Sequence, residues 1–188
     1  TPQPVALNLF ADEASQLEAS EAQINAHRAL VQQATRLFGP RHWRQYDLLL
    51  ALSDEFGGIG LEHHESSENG LRPDYFKDWD QAIRGRELLA HEFAHSWNGK
   101  FRRPSDLWTP QYNVPMRNSL LWVYEGMTQY WGQVLSARSE FRTKQQALDL
   151  IALNVAAFDN RVGREWRALV DTTIDPILSA RRPSPWVS

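Results

Sequence analysis

Hydrophobic positions along this chain recur at changing spacings, and each change marks the border of an element. Phe10, Leu17, Ile24, Val31 and Phe38 stand seven apart, backed by Ala14, Leu30, Ala34 and Leu37, which predicts one long helix over 10–38. Asp12, Glu13, Glu18 and Glu21 fall early in it, and Arg28 and Arg36 late, as the helix dipole favours. Gly39 and Pro40 then end it. Tyr46 to Ser53 is a compact apolar run and predicts a buried strand. Three glycines between Phe56 and Leu61 lead into a short edge strand, and the polar stretch 65–75 reads as a loop. Helical spacing returns from Ile83 to Trp97, with Leu88, Leu89, Phe93 and Ala94 on it, and Asn98-Gly99 reads as its C-terminal cap. Residues 99–117 carry three prolines and read as a connection. Further helices are predicted over Leu120–Ala137, over Lys144–Phe158 and over part of 163–180, with Pro183-Ser184-Pro185 extended. Strands come first and helices afterwards, which is an α+β order.

Composition narrows this little. At 188 residues the chain fits one domain, or a lobe of a larger one, with room for a real core. A formal charge of −3 supplies no cationic field for nucleic acid. No run of 18 apolar residues exists, so no membrane span is expected. With 0 Cys there is no thiol nucleophile, and any zinc site is limited to N and O ligands. That absence suits cytosol and periplasm equally, and the compartment and oligomeric state stay unassigned. The 8 Trp stand out, because Trp favours clefts with one wet edge.

The chemistry sits in the helix over 83–97. His91-Glu92-Phe93-Ala94-His95 is an HExxH motif, expected by chance in roughly one chain of this size in a few hundred. Two His four apart on a helix share a face, so their imidazoles can reach one Zn²⁺ at about 2.0–2.1 Å. Catalytic zinc keeps three protein ligands and one water. Glu125, set among Leu121, Trp122 and Trp131 on the next helix, is the candidate third ligand, because a carboxylate is seldom left unpaired among apolar neighbours. Glu92 is placed to act as the base toward a water.

Three segments, HEFAHSWNGKFRRP, LWVYEGMTQYWG and GLEHHESS, resemble the signature segments of the M61 glycyl aminopeptidases, a family of gluzincin zinc peptidases. The resemblance spans 46–182. It implies zinc on His91, His95 and Glu125, with Glu92 as base. It also implies a thermolysin-like catalytic domain in which a small edge sheet lies over a mainly helical lobe. Glu62 falls where related aminopeptidases hold the substrate's α-ammonium group, with Gly60 beside the substrate and His63 lining the cleft; His64 reads as surface, since adjacent strand residues face opposite ways. Ile59 departs from the family's usual glycine, and only Lys100 and Arg103 match a basic segment that reads as structural. Gln129 takes the place of an Asp that orients a zinc-bound His in thermolysin-like enzymes. The oxyanion-stabilising Tyr of the family is expected beyond Ser188, together with a PDZ module, and a β domain is expected before Thr1. Tyr112, Tyr124 and Tyr130 read as packing or helix surface. The implied activity is removal of small N-terminal residues (Gly or Ala) from peptides, with a zinc endopeptidase or a non-catalytic zinc-bound peptide scaffold as alternatives.

Overall fold

The structure is a computed structural model, and it describes residues 3–56, 58–162, 165 and 167–174. It is a mixed α+β arrangement built on a four-stranded sheet of order β1-β2-β4-β3. The strands are β1 (Val5–Ala11), β2 (Tyr46–Leu52), β3 (Gly60–Glu62) and β4 (Ser66–Leu71). β2 runs parallel to both β1 and β4, with Val5 opposite Tyr46 and Asp47 opposite Ser66. β3 is an antiparallel edge, with Gly60 opposite Asn69 and Glu62 opposite Ser67. Four α-helices follow the chain: α1 (Glu21–Phe38), α2 (Leu88–His95), α3 (Thr128–Arg138) and α4 (Lys144–Asp159). Among the described residues no helix is long and apolar enough to cross a membrane.

Three sequence expectations are corrected here. The seven-residue spacing from Phe10 does not mark one helix: Val5–Ala11 is a strand, and Ala14–Leu17 is a single 3₁₀ turn. Phe10 and Leu17 are exposed, so the spacing was coincidence at its first two positions. The helix starts where its cap is: Ser20 Oγ accepts from the Gln23 N–H at 3.2 Å, while Gln23 Oε1 accepts from the Ser20 N–H at 2.7 Å. The second correction is β4, which reads as a polar loop yet lies between two other strands. Ser67 and Asn69 are buried in it and bonded to each other, with Asn69 Nδ2 donating to the Leu49 carbonyl and to Ser67 Oγ, each at 3.0 Å. The Ile83–Trp97 helix is also shorter than expected, because two 3₁₀ turns precede α2.

β2 alternates strictly, burying Tyr46, Leu48, Leu50 and Leu52 on the face that meets the helices. Tyr46 packs with Trp43 and Phe93, and Trp97 packs in turn on both of those rings, centroids about 5 Å apart, so α2 is clamped to the sheet by aromatic edges. Removing the fully buried Phe93 ring would cost about 3–5 kcal/mol. α3 lies on α2 at Gly132, where a Cβ would stand 3.3 Å from the His91 Cα. That missing methyl lets the two helices carrying the chemistry approach closely. α4 is different. Most of its apolar residues, including Ile151, Val155 and Phe158, are exposed rather than buried. Leu169–Ile174 is a 3₁₀ helix; the remainder of the helix expected within 163–180 lies largely outside the described residues, as do Pro183-Ser184-Pro185.

Candidate metal centre and substrate cleft

α2 presents His91 and His95 on one face, as the i, i+4 spacing requires, and their Nε2 atoms are 3.1 Å apart. The third group arrives from an unusual element. Residues Trp122–Met127 form a π-helical turn that runs directly into α3, and Glu125 sits within it. Glu125 Oε2 lies 3.4 Å from His91 Nε2 and 3.3 Å from His95 Nε2. Its side chain is half exposed, so it is not held by apolar burial, as its neighbours in the sequence suggest, but by the two imidazoles. Burial alone would raise its pKa, yet the two imidazoles, whenever they carry a proton on Nε2, hold it down to about 2.

His95 is fixed from behind. Its Nδ1 faces the Asn98 carbonyl at 3.2 Å, and a carbonyl only accepts, so the ring proton sits on Nδ1 and Nε2 keeps its lone pair. With His91 neutral and in the same tautomer, the three inward atoms are acceptors gathered within 3.1–3.4 Å. Such a group repels itself unless a proton or cation stands between its members. Four ligands held at about 2.0–2.1 Å around a tetrahedral Zn²⁺ are about 3.3 Å from each other. The triangle of His91 Nε2, His95 Nε2 and Glu125 Oε2 has that size, so the donor set fits zinc. Glu92 offers a further oxygen, and the His91, Glu92 and His95 ligand atoms lie within 4.8 Å of one another. Its carboxyl is buried, and Oε2 has no hydrogen-bond partner among the described residues. Burial pushes it up to about 7, against the pull of His91 and His95.

Gly60 explains how Glu92 fits. A Cβ at that position would collide with the Glu92 carboxyl and stand 2.8 Å from Leu88 Cδ1. The edge strand therefore lies directly against the carboxylate, which no larger residue would allow. A cavity of about 560 Å³ opens beside His91 and Glu92, walled by Ile59 and Gly60 on one side and Leu150 and Leu153 of α4 on the other.

Glu62 ends β3 next to this centre. Its Oε1 accepts from the Tyr124 hydroxyl and pairs with Lys100 Nζ at 3.3 Å. Burial would raise its pKa, but Tyr124, His95 and Lys100 together outweigh burial and lower it. Lys100 is thus an ion-pair partner, while Arg103 Nε donates to the Gly99 carbonyl at 3.2 Å. His63 and His64 are exposed in the hairpin after β3, away from the bonds joining Glu62 to Tyr124 and Lys100. Gln129 does not orient an imidazole: its amide donates to Glu87, which also binds Gln133 and, at 2.9 Å, Arg142. The sequence reads Tyr124 only as packing or helix surface, whereas its ring lies against His95 with centroids 4.7 Å apart. Asn98 reads only as a helix cap. Their signal was adjacency: one directly precedes Glu125, and the other follows His95 by three.

Among solved structures, the crystal structure of the aminopeptidase N family protein from Idiomarina loihiensis is similar, with a TM-score of 0.72 at 21% identity. The match covers 90% of this chain and 29% of that one, so the likeness is one of fold, and this chain spans under a third of that protein's length. The family model described as M61 glycyl aminopeptidase matches residues 84–187, over half the chain and the whole run from before His91 to beyond Glu125. On that match, the chain belongs to the M61 glycyl aminopeptidase family, a family of peptidases.

Proposed function

We propose that this chain is the catalytic domain of a zinc-dependent aminopeptidase that releases small N-terminal residues such as Gly or Ala from peptides. The observation that carries the proposal is the convergence of His91 Nε2, His95 Nε2 and Glu125 Oε2 within 3.4 Å, beside a buried carboxyl oxygen of Glu92 with no partner. His91, His95 and Glu125 would hold the metal. Bound zinc supplies a Lewis acid for the scissile carbonyl and makes a neighbouring water acidic enough to ionise near neutrality. Glu92 Oε2 takes the proton from that water and passes it to the leaving amine. A carboxyl poised near pH 7 suits both halves of that transfer, and a nearby cation draws it toward the ionised form.

Glu62 would receive the substrate's α-ammonium group in a charge-assisted hydrogen bond. Tyr124 holds that carboxylate in place from the helix side. The thermolysin-like frame of the resemblance belongs to the same reading, supported by an antiparallel edge strand lying over the HExxH helix. A second reading, a zinc endopeptidase, draws on the Lys100–Glu62 pair, which already neutralises the proposed ammonium receptor. Metal analysis of the intact natural protein, joined to hydrolysis of Gly- and Ala-aminoacyl reporters and of N-acetylated peptides, tests both. Stoichiometric zinc with cleavage of free-amine substrates alone is expected. Cleavage of blocked peptides at equal rates favours the endopeptidase. A protein that retains no divalent ion, or binds zinc and hydrolyses neither substrate, overturns the proposal.

A further inference from the structure

One residue outside the ligand set touches both segments that carry ligands. Asn98 follows His95 by three, in the turn that ends α2. Its backbone carbonyl lies 3.2 Å from His95 Nδ1. Its side-chain amide donates to the Val123 carbonyl at 2.9 Å and to Thr128 Oγ1 at 3.0 Å, with the Tyr124 carbonyl 3.5 Å away. Val123 and Tyr124 belong to the π-helical turn, and Thr128 opens α3 immediately after it. Thr128 Oγ1 donates in turn to the Tyr124 carbonyl at 2.7 Å and stands 3.4 Å from His95 Nδ1. One side chain and one carbonyl thus tie the second imidazole to the turn presenting the carboxylate.

We propose that Asn98 is the positioning residue of the metal centre, setting the proton on His95 through its main chain and the pose of Glu125 through its side chain. The proposal rests on the metal reading given above. A π turn is rare and needs its environment to keep it from relaxing to α-helix. In the relaxed register Glu125 would rotate away from the imidazoles. The amide of Asn98 supplies donors at two oxygens of this stretch, Val123 O and Thr128 Oγ1, and so favours the wider turn. The pairing needs a donor of that length: Asp has the shape without the donor, and Ala has neither.

The test compares the unmutated chain with Asn98→Asp, and with Leu30→Val as a control that loosens the core on α1, which carries no residue of the site. Zinc affinity is read by competition with a chromophoric chelator, and coordination geometry by the visible spectrum of the cobalt-substituted protein. Asn98→Asp is expected to weaken zinc binding by about ten- to a hundredfold and to alter the cobalt bands. Leu30→Val is expected to lower the melting temperature while leaving both unchanged. Wild-type affinity and bands in Asn98→Asp overturn the role of Asn98 alone. Failure of the unmutated protein to bind zinc removes the metal reading and this inference with it. Should Asn98→Asp not fold, long-range ¹H–¹⁵N spectra of the zinc-loaded unmutated protein decide: a proton on His95 Nδ1 is expected, and zinc on that nitrogen overturns the proposal.

Discussion

Two charged clusters lie side by side in this cleft, and they are built on opposite principles. The His91–His95–Glu125 cluster gathers acceptors around an inner point, and the Asn98 carbonyl keeps the His95 ring proton on the outer nitrogen. The Glu62–Tyr124–Lys100 cluster contains its own donors, a hydroxyl and an ammonium, and is balanced without help. The first is incomplete as protein and demands a cation; the second is complete and must give something up to bind one.

The sharpest way to break the first cluster is to separate its holding and reacting parts. Glu125→Ala removes an anionic ligand and should abolish tight zinc binding, read by metal analysis after dialysis. Glu92→Gln should retain zinc and lose about 10²–10⁴ in kcat, the usual contribution of a positioned base. Loss of zinc in Glu92→Gln, with Glu125→Ala keeping it, would exchange their roles. Metal-free protein offers a second route. Burial raises Glu92 to about 7, and its bond with Glu125 raises His91 despite burial. Both groups hold protons more tightly folded than unfolded, so their stabilisation is full at low pH and fades as pH rises through neutrality. Glu125, held at about 2, contributes the opposite way, but its loss begins only below about pH 4.5. Between pH 5 and pH 8 the metal-free protein should therefore lose about 1–3 kcal/mol of stability, less in Glu92→Gln. Calorimetry with chelator present reads the change, and added zinc should erase most of it. A flat profile would show that the acceptor cluster carries no extra protons.

How much of this was legible depends on whether a residue's role is local. HExxH and its helix were readable because i, i+4 spacing fixes a shared face whatever surrounds it. β2 was readable too, since an apolar run bounded by polar residues has few other fates. β4 was not, because Asn69, which bonds Ser67 within β4, is also held by the Leu49 carbonyl of a strand that only the fold supplies. The π turn around Glu125 left no mark on hydrophobic spacing, and without it Tyr124 and Glu125 cannot be assigned their directions. α1 misled for a simpler reason: chance apolar residues at 10 and 17 extended a real period beyond the Ser20 cap.

The second cluster can be probed through its receptor. Glu62→Gln keeps the shape and removes the charge, so free-amine peptides should lose about ten- to a hundredfold in kcat/KM, the worth of one charge-assisted bond. N-acetylated peptides should change little in either direction. Equal loss on both substrates would make Glu62 a structural partner of Tyr124 and not an ammonium receptor.

Lys100 tests whether the balance of that cluster has a function. Its ammonium lies 3.3 Å from Glu62 Oε1, the charge that the substrate's own ammonium would seek. Two cations cannot share one carboxylate closely without repelling each other, so binding a free amine requires Lys100 to shift or the pair to lengthen. Lys100→Met keeps the length of the side chain and removes the charge. It should lower KM for free-amine peptides by about two- to tenfold, because the competing cation is removed from the carboxylate. The Tyr124 bond to Glu62 remains in this variant, so the receptor stays aimed. If KM rises instead, Lys100 is needed to hold the carboxylate, and the two clusters are alike in depending on a cation rather than opposed.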